Sequence, residues 1–221
     1  MKAKFLTLGL LVASLLGGAA QASVVSLSPS SQSVLLGQSF TVDLNISGLS
    51  SSEIVSTFDL NIYFAPGVLS GTSFTLGSGL GGAWDASLSV VQSDNFDLFA
   101  FSLEYDPLRS MQDNDDALAA LQADGGFTLA TLSFDATGLG VSQLSFGSGP
   151  NERDVVGRDA EFLRNISFQG ACVAVNAQTG GNNSCATVPE PSSYGLTLAA
   201  LLAAGWAAGC SRRSRPSASQ V

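Results

Sequence analysis

The chain has 221 residues, a formal net charge of −9 and no histidine. That length suits one ordinary domain plus targeting segments. The missing histidine excludes Ser-His-Asp and Cys-His catalysis and any zinc site that needs an imidazole.

The N-terminus reads as an export signal. Lys2 and Lys4 form a basic flank, residues 5–16 are apolar apart from Thr7, Gly9 and Ser14, and Ala20-Gln21-Ala22 gives the small-x-small pattern that signal peptidase accepts. Cleavage there makes Ser23 the mature start. The apolar run is too short to span a bilayer comfortably. Both lysines of the chain fall in this segment. Residues 23–188 therefore hold 17 acids against four arginines (Arg109, Arg153, Arg158, Arg164), a net −13. Such a domain repels nucleic acid and anionic lipid, which are bound through Lys and Arg, and it attracts cations or basic partners.

From residue 23 to about 175 the recurrent signal is period two. In "QSFTVDLNIS", Phe40, Val42, Leu44 and Ile46 share one face. In "STFDLNIYF", Phe58, Leu60, Ile62 and Phe64 do the same. Further strand-like runs are "ASLSVVQ", "NFDLFAFSLE", "FTLATLSF", "VSQLSF", "EFLRNISF" and "ACVAV". In "NFDLFAFSLE" and "FTLATLSF" the apolar parity switches midway, which predicts a bulge or a strand covered on both faces. Gly, Pro, Asn and Asp punctuate the gaps, as in "SPSSQSVLLG" and "GSGPNERD". Only "QDNDDALAALQADGG" reads as helix, capped by Asp115 or Asp116 and stopped at Gly125. Eight or nine short strands with one apolar face predict an all-β, two-sheet sandwich.

Few side chains suggest chemistry. Cys172 and Cys185 in an exported chain read as a disulfide rather than a metal site. Carboxylate pairs of the glycosidase kind exist on paper, Glu104 with Asp106 and Glu152 with Asp154. No general acid–base arrangement is evident, so the expectation is no enzyme and no cofactor. Asp113, Asp115 and Asp116 form the densest oxygen cluster. It lacks the Gly and Glu of an EF-hand loop, which makes it a weak calcium candidate with helix capping the alternative. Trp84, Tyr63 and Tyr105 are the candidate ligand-facing aromatics, as stacking platforms for carbohydrate.

Two resemblances organise these readings. Gly37, Phe40, Val42, Asp43 and Leu44, then Phe58, Asp59, Leu60, Phe64, Pro66, Val68 and Leu69, then Leu129, Ala130, Leu132, Phe134 and Ala136 resemble successive strands of cohesin-like domains over residues 24–175. The likeness implies a nine-stranded, jelly-roll-like sandwich related to carbohydrate-binding modules. Cohesins proper bind dockerins. The tail "VPEPSSYGLTLAALLAAGWAAGCSRRSR" is similar to the PEP-CTERM sorting signal of exported proteins in bacteria that make extracellular polysaccharide. It has Pro189-Glu190-Pro191, a hydrophobic segment and the basic cluster Arg212, Arg213 and Arg215. That resemblance implies recognition by an exosortase and removal of the segment. A plain single-span anchor is the alternative reading of the same residues, and the arginines fix the C-terminus in the cytoplasm in either case.

The expected layout is a signal peptide over 1–22, a cohesin-like sandwich over 23–176, a Gly/Asn-rich linker over 177–188, the sorting signal over 189–215 and a polar tail over 216–221. Each end adds one hydrophobic helix. The expected function is a non-enzymatic protein of the envelope or extracellular matrix that binds or organises extracellular polysaccharide. The alternatives are a cohesin–dockerin-type scaffold for another envelope protein and a calcium-dependent adhesin. The expected location is a transient inner-membrane anchorage followed by the cell surface.

Overall fold

A computed structural model describes residues 22–81, 89–102, 106 and 108–185. The signal segment before Ala22, the PEP motif and the arginine cluster lie outside the described residues, and with them both expected terminal helices. Among the described residues there are twelve strands and one α-helix: β1 (Val24–Ser28), β2 (Ser31–Leu35), β3 (Ser39–Ser47), β4 (Thr57–Tyr63), β5 (Leu69–Leu76), β6 (Val90–Val91), β7 (Asn95–Phe101), α1 (Met111–Leu121), β8 (Gly126–Ala136), β9 (Gly140–Phe146), β10 (Arg153–Val156), β11 (Ser167–Gln169) and β12 (Ala171–Asn176). They form the expected two-sheet sandwich. One sheet runs β11-β1-β3-β8-β5. The other runs β2-β12-β9-β4-β7-β6, with β10 added along β4.

The alternation of β3 and β4 builds the core. Val42, Leu44 and Ile46 from one sheet meet Phe58, Leu60 and Ile62 from the other, all buried. Phe134 of β8 stands at the centre. It stacks on Phe40 at 5.4 Å and meets the edges of Phe64 and Phe96 at 5.4 and 5.1 Å. Offset and edge-on rings of this kind add about 0.5–1.5 kcal/mol per pair beyond their burial.

The two parity switches have different causes. In β8 the register with β3 shifts between Leu44 and Asn45, so that Ala130 and Thr128 are their partners and Leu129 is the extra residue. This bulge sends both Leu129 and Ala130 inward. β7 pairs with β4 without a break, and Phe99 and Phe101 point to the outer side.

Several boundaries differ from expectation. The helix begins at Met111, not at Asp115 or Asp116, because Ser110 is the N-cap: its hydroxyl accepts from the Asp113 N–H at 3.1 Å and donates to the Asp113 carboxylate at 2.7 Å. Gly125 does take the left-handed conformation, with φ +70°, four residues after the helix ends at Leu121. "SPSSQSVLLG", read as a gap, contains β2, an edge strand with Ser31, Ser33 and Leu35 outward and Val34 buried. "GSGPNERD" leads into β10. "EFLRNISF" is strand only at its end, because Asn165 takes positive φ and leaves Phe162 with a single bridge to Val156.

Cys172 and Cys185 are joined, with Cα atoms 5.8 Å apart. Of the stretch read as a linker, the part up to Cys185 lies against β12. Asn176 donates to the Asn183 carbonyl and accepts from the Asn183 N–H, and the Asn183 amide donates to the Val175 carbonyl. A loop of this length contributes about 3 kcal/mol on loop-entropy grounds.

Gln122 is buried, and its amide clips three chain segments together. It accepts from the Val55 N–H and donates to the Val55 and Gly79 carbonyls, each at 2.8 Å. Replacing Gln122 by Leu strands these groups, and each orphan costs about 1–3 kcal/mol. We expect chemical denaturation to show a loss of at least about 2 kcal/mol. A midpoint equal to wild type would mean that water serves the three groups equally well.

Candidate binding face

The outward positions of β4 are Thr57, Asp59, Asn61 and Tyr63, because Phe58, Leu60 and Ile62 point into the core. Register carries the same outward set onto the neighbouring strands. Asp59 faces Phe99 on β7 and Asp154 on β10; Asn61 faces Asp97, which in turn faces Val90 on β6; Thr57 faces Phe101 and Val156. The sheet therefore presents three aspartates beside two phenylalanines whose rings lie 6.1 Å apart. Among the described residues no group of three acids is placed to hold a metal ion.

The electrostatics of this face are uncompensated. Partial burial raises the Asp59 carboxyl above its ordinary range, and the Asp97 and Asp154 charges raise it further. The Asn61 side-chain oxygen is buried with no hydrogen-bond partner. Strand backbone at the Phe99 position is closed off by Ser89, whose hydroxyl accepts from the Phe99 N–H and donates to its carbonyl. The side chains, not a free strand edge, are what this part of the sheet offers.

Beside Phe101 the face opens into a cleft of about 440 Å³. Phe101, Met111, Leu118, Val156 and Ala160 supply its apolar lining. One wall is the turn at residues 158–160, where Asp159 and Ala160 both hold positive φ. The turn is tied to α1 by Arg158, which pairs with Asp116 at 2.8 Å, and by the Asp159 N–H, which donates to Asp115 at 3.1 Å. Left-handed backbone at non-glycine residues costs free energy and persists only where its surroundings hold it.

The residues singled out from sequence are dispersed. Asp113, Asp115 and Asp116 are each engaged with the protein: Asp113 with Ser110, Asp115 with the Asp159 N–H and Asp116 with Arg158. Tyr63 is on the outer side of β4, and its hydroxyl donates to Glu152 at 3.0 Å. Trp84, Tyr105 and Glu104 lie outside the described residues, as does Ala20. Ala22 is exposed, whereas Ser23 is buried with its carbonyl accepting from the Ser167 N–H. Glu152 accepts from the Gly149 N–H and from Tyr63, and these bonds lower its pKa. An ionised Glu152 has no proton to donate, so the Glu152–Asp154 pair lacks a general acid at that position. Asp97, Phe99 and Phe101 were not singled out; Asp59 entered only through the cohesin-like resemblance and Asp154 only as half of a carboxylate pair. The signal for the phenylalanines was the parity switch in "NFDLFAFSLE", which puts aromatic rings on both sides of one strand.

The sheet order, closed by β1 running parallel to β11 and β2 running parallel to β12, defines an all-β, jelly-roll-like sandwich of the cohesin type. Solved structures share it at low sequence identity. The third cohesin of ScaC from Acetivibrio cellulolyticus, solved with the ScaB dockerin, superposes with a TM-score of 0.50 at 16% identity, covering 69% of this chain and 96% of that one. A cohesin of a type I cohesin–dockerin complex from Clostridium thermocellum gives 0.51 at 11%, covering 70% and 99%. A non-cellulosomal cohesin from the archaeon Archaeoglobus fulgidus gives 0.50 at 12%, covering 72% and 94%. These likenesses are of fold. No family model matches the chain, and no curated relative does.

The raised Asp59 pKa has a pH signature. The folded state holds that proton to higher pH than the unfolded chain does. Stability therefore falls as pH rises from the unfolded carboxylate range, about 4, through the folded value. Asp59→Asn removes the fall. We expect its thermal midpoint to exceed wild type by about 1–3 °C at pH 7 and to match it below about pH 4. A constant offset across that range would assign the difference to packing instead of charge.

Proposed function

We propose that this chain is a non-enzymatic, exported binding module that holds a partner protein on the outer face of β10-β4-β7-β6. The observation that carries the reading is the composition of that face: apolar rings, an adjoining apolar cleft and uncompensated aspartates. A partner that brings an apolar side chain flanked by Lys or Arg suits all three. The fold supports the same reading, since two of the cohesins described above were solved with dockerins. A calcium-dependent adhesin gains no support, because each acid of the Asp113–Asp116 run has a protein partner.

Delivery is the second part of the proposal, and the sequence supports it. The basic flank and the Ala-x-Ala ending suit signal peptidase. Pro189-Glu190-Pro191, the uncharged segment and the arginines suit an exosortase-type enzyme in the membrane. The destination is then the cell surface or matrix, after passage through an inner-membrane anchored form.

Two experiments test these statements. In affinity capture from envelope extract, the wild-type chain should retain a stoichiometric protein, and the Phe99→Ser/Phe101→Ser double variant should retain at least tenfold less with an unchanged circular dichroism spectrum. Equal retention by both would move the interface elsewhere. For delivery, intact mass should show a species beginning near Ser23 and lacking everything after the PEP region. Replacing Pro189, Glu190 and Pro191 by Ala should leave the chain in the inner membrane. A wild-type species that still carries Arg212 would make it a tethered domain.

A further inference from the structure

The outer face of the other sheet has a different character. Its rows, read across the register, are Ser28–Asp43–Thr131–Thr75, Thr41–Ser133–Ser73 and Ser39–Asp135–Ser70. Hydroxyls and carboxylates are paired along it. Thr131 donates to Asp43 at 2.7 Å, Thr128 donates to Asn45 at 2.7 Å, and Ser39 donates to Asp135 at 2.6 Å. Each such bond commits a hydroxyl hydrogen to a neighbour and leaves the threonine oxygen's lone pairs as acceptors. The wall is thus pre-set to accept hydrogen bonds. Its second Asp43 oxygen adds another acceptor.

At one end of this face lies a groove of about 1000 Å³, the upper end of the range usual for ligand clefts. Asp43, Thr128 and Thr131 form its polar side. Leu76, Phe127 and Leu121 bring apolar surface. The loop that closes it, residues 77–81, lies flush on β8 because it is glycine-rich. A Cβ at Gly77 would meet the Thr128 carbonyl oxygen at 1.8 Å, and one at Gly79 would meet the Phe127 ring at 2.1 Å. Among the described residues that line the groove there is no Lys or Arg, so they supply no cationic side chain to pair with a phosphate, sulfate or uronate.

We propose that this groove is a second binding site, for a segment of uncharged polysaccharide. A sugar chain presents many hydroxyl donors to an acceptor-rich wall, and its C–H faces cover the ring and the leucines. The site is independent of the protein-binding face. It gives the module one ligand on each sheet.

The test is affinity electrophoresis of the full chain through gels containing hydroxyethyl cellulose, galactomannan or dextran, with alginate as the acidic comparison. Migration should be retarded by at least one neutral polymer and not by alginate. The Asp43→Ala/Thr131→Val variant should lose at least tenfold of that affinity. Phe99→Ser/Phe101→Ser should keep it, which separates this site from the protein-binding face. Because Asp43 and Thr131 lie on the outer side of the sheet, the variant's fold is checked by its unchanged thermal midpoint and spectrum. If that variant unfolds, the single Asp43→Asn change, which keeps an acceptor for Thr131, should still weaken retention. Absence of retardation in every neutral gel, equal retardation of wild type and variants, or preference for alginate would each overturn the proposal.

Discussion

The first and last strands of the folded unit hold each other, and the sandwich exists only when they meet. β1 runs parallel to β11 in one sheet, and β2 runs parallel to β12 in the other. Two of the passages between the sheets are tight, one at the cis Ser28–Pro29 peptide between β1 and β2 and one at Gly170 between β11 and β12. Gly170 is close against Leu144, where a Cβ would meet the carbonyl oxygen at 2.3 Å. Pairings between residues about 140 apart carry a large loop-closure cost and form late relative to local hairpins. Once formed they cover the inner strands on both sides. The disulfide at Cys172 then fixes the closing strand.

This closure leaves two broad outer faces that share a fold and differ in chemistry. On the β1-β3-β8-β5 sheet the polar side chains pair with one another across the strands. On the β10-β4-β7-β6 side, like charges sit in neighbouring rows beside half-buried aromatic rings. A surface whose groups are mutually satisfied offers spare lone pairs and little else. A surface with unbalanced charge gains free energy from a partner that balances it. The division of labour between the faces follows from which residues occupy the outward positions, with no change of backbone architecture.

The regular strands were legible because one face is apolar: Val42, Leu44 and Ile46 alternate with Thr41, Asp43 and Asn45, and the structure has them as read. The bulge at Leu129 was legible for the same reason, as a broken alternation. What sequence could not give is set by distant neighbours. β2 looks like a polar loop because only its pairing with β12 makes it a strand. β10 looks like a turn because Val155 is buried only when Phe58 lies beside it. The candidate face was hidden more deeply: Asp59 and Asp154 are far apart in the chain and fall in one row, with Asp97 in the next, through register alone. Ser110 was passed over as a cap because the run of aspartates after it is the louder signal.

The contact between Asn183 and Asn176 has a consequence for reach. With Cys185 held on β12, only three residues stand between the folded unit and Pro189. At about 3.3–3.6 Å per residue such a leash extends to at most about 15 Å. Opening the disulfide and releasing the chain from Asn176 frees twelve residues and roughly triples that radius. The length of chain free to move beyond the sandwich is set by one covalent bond in a loop rather than by the sandwich itself.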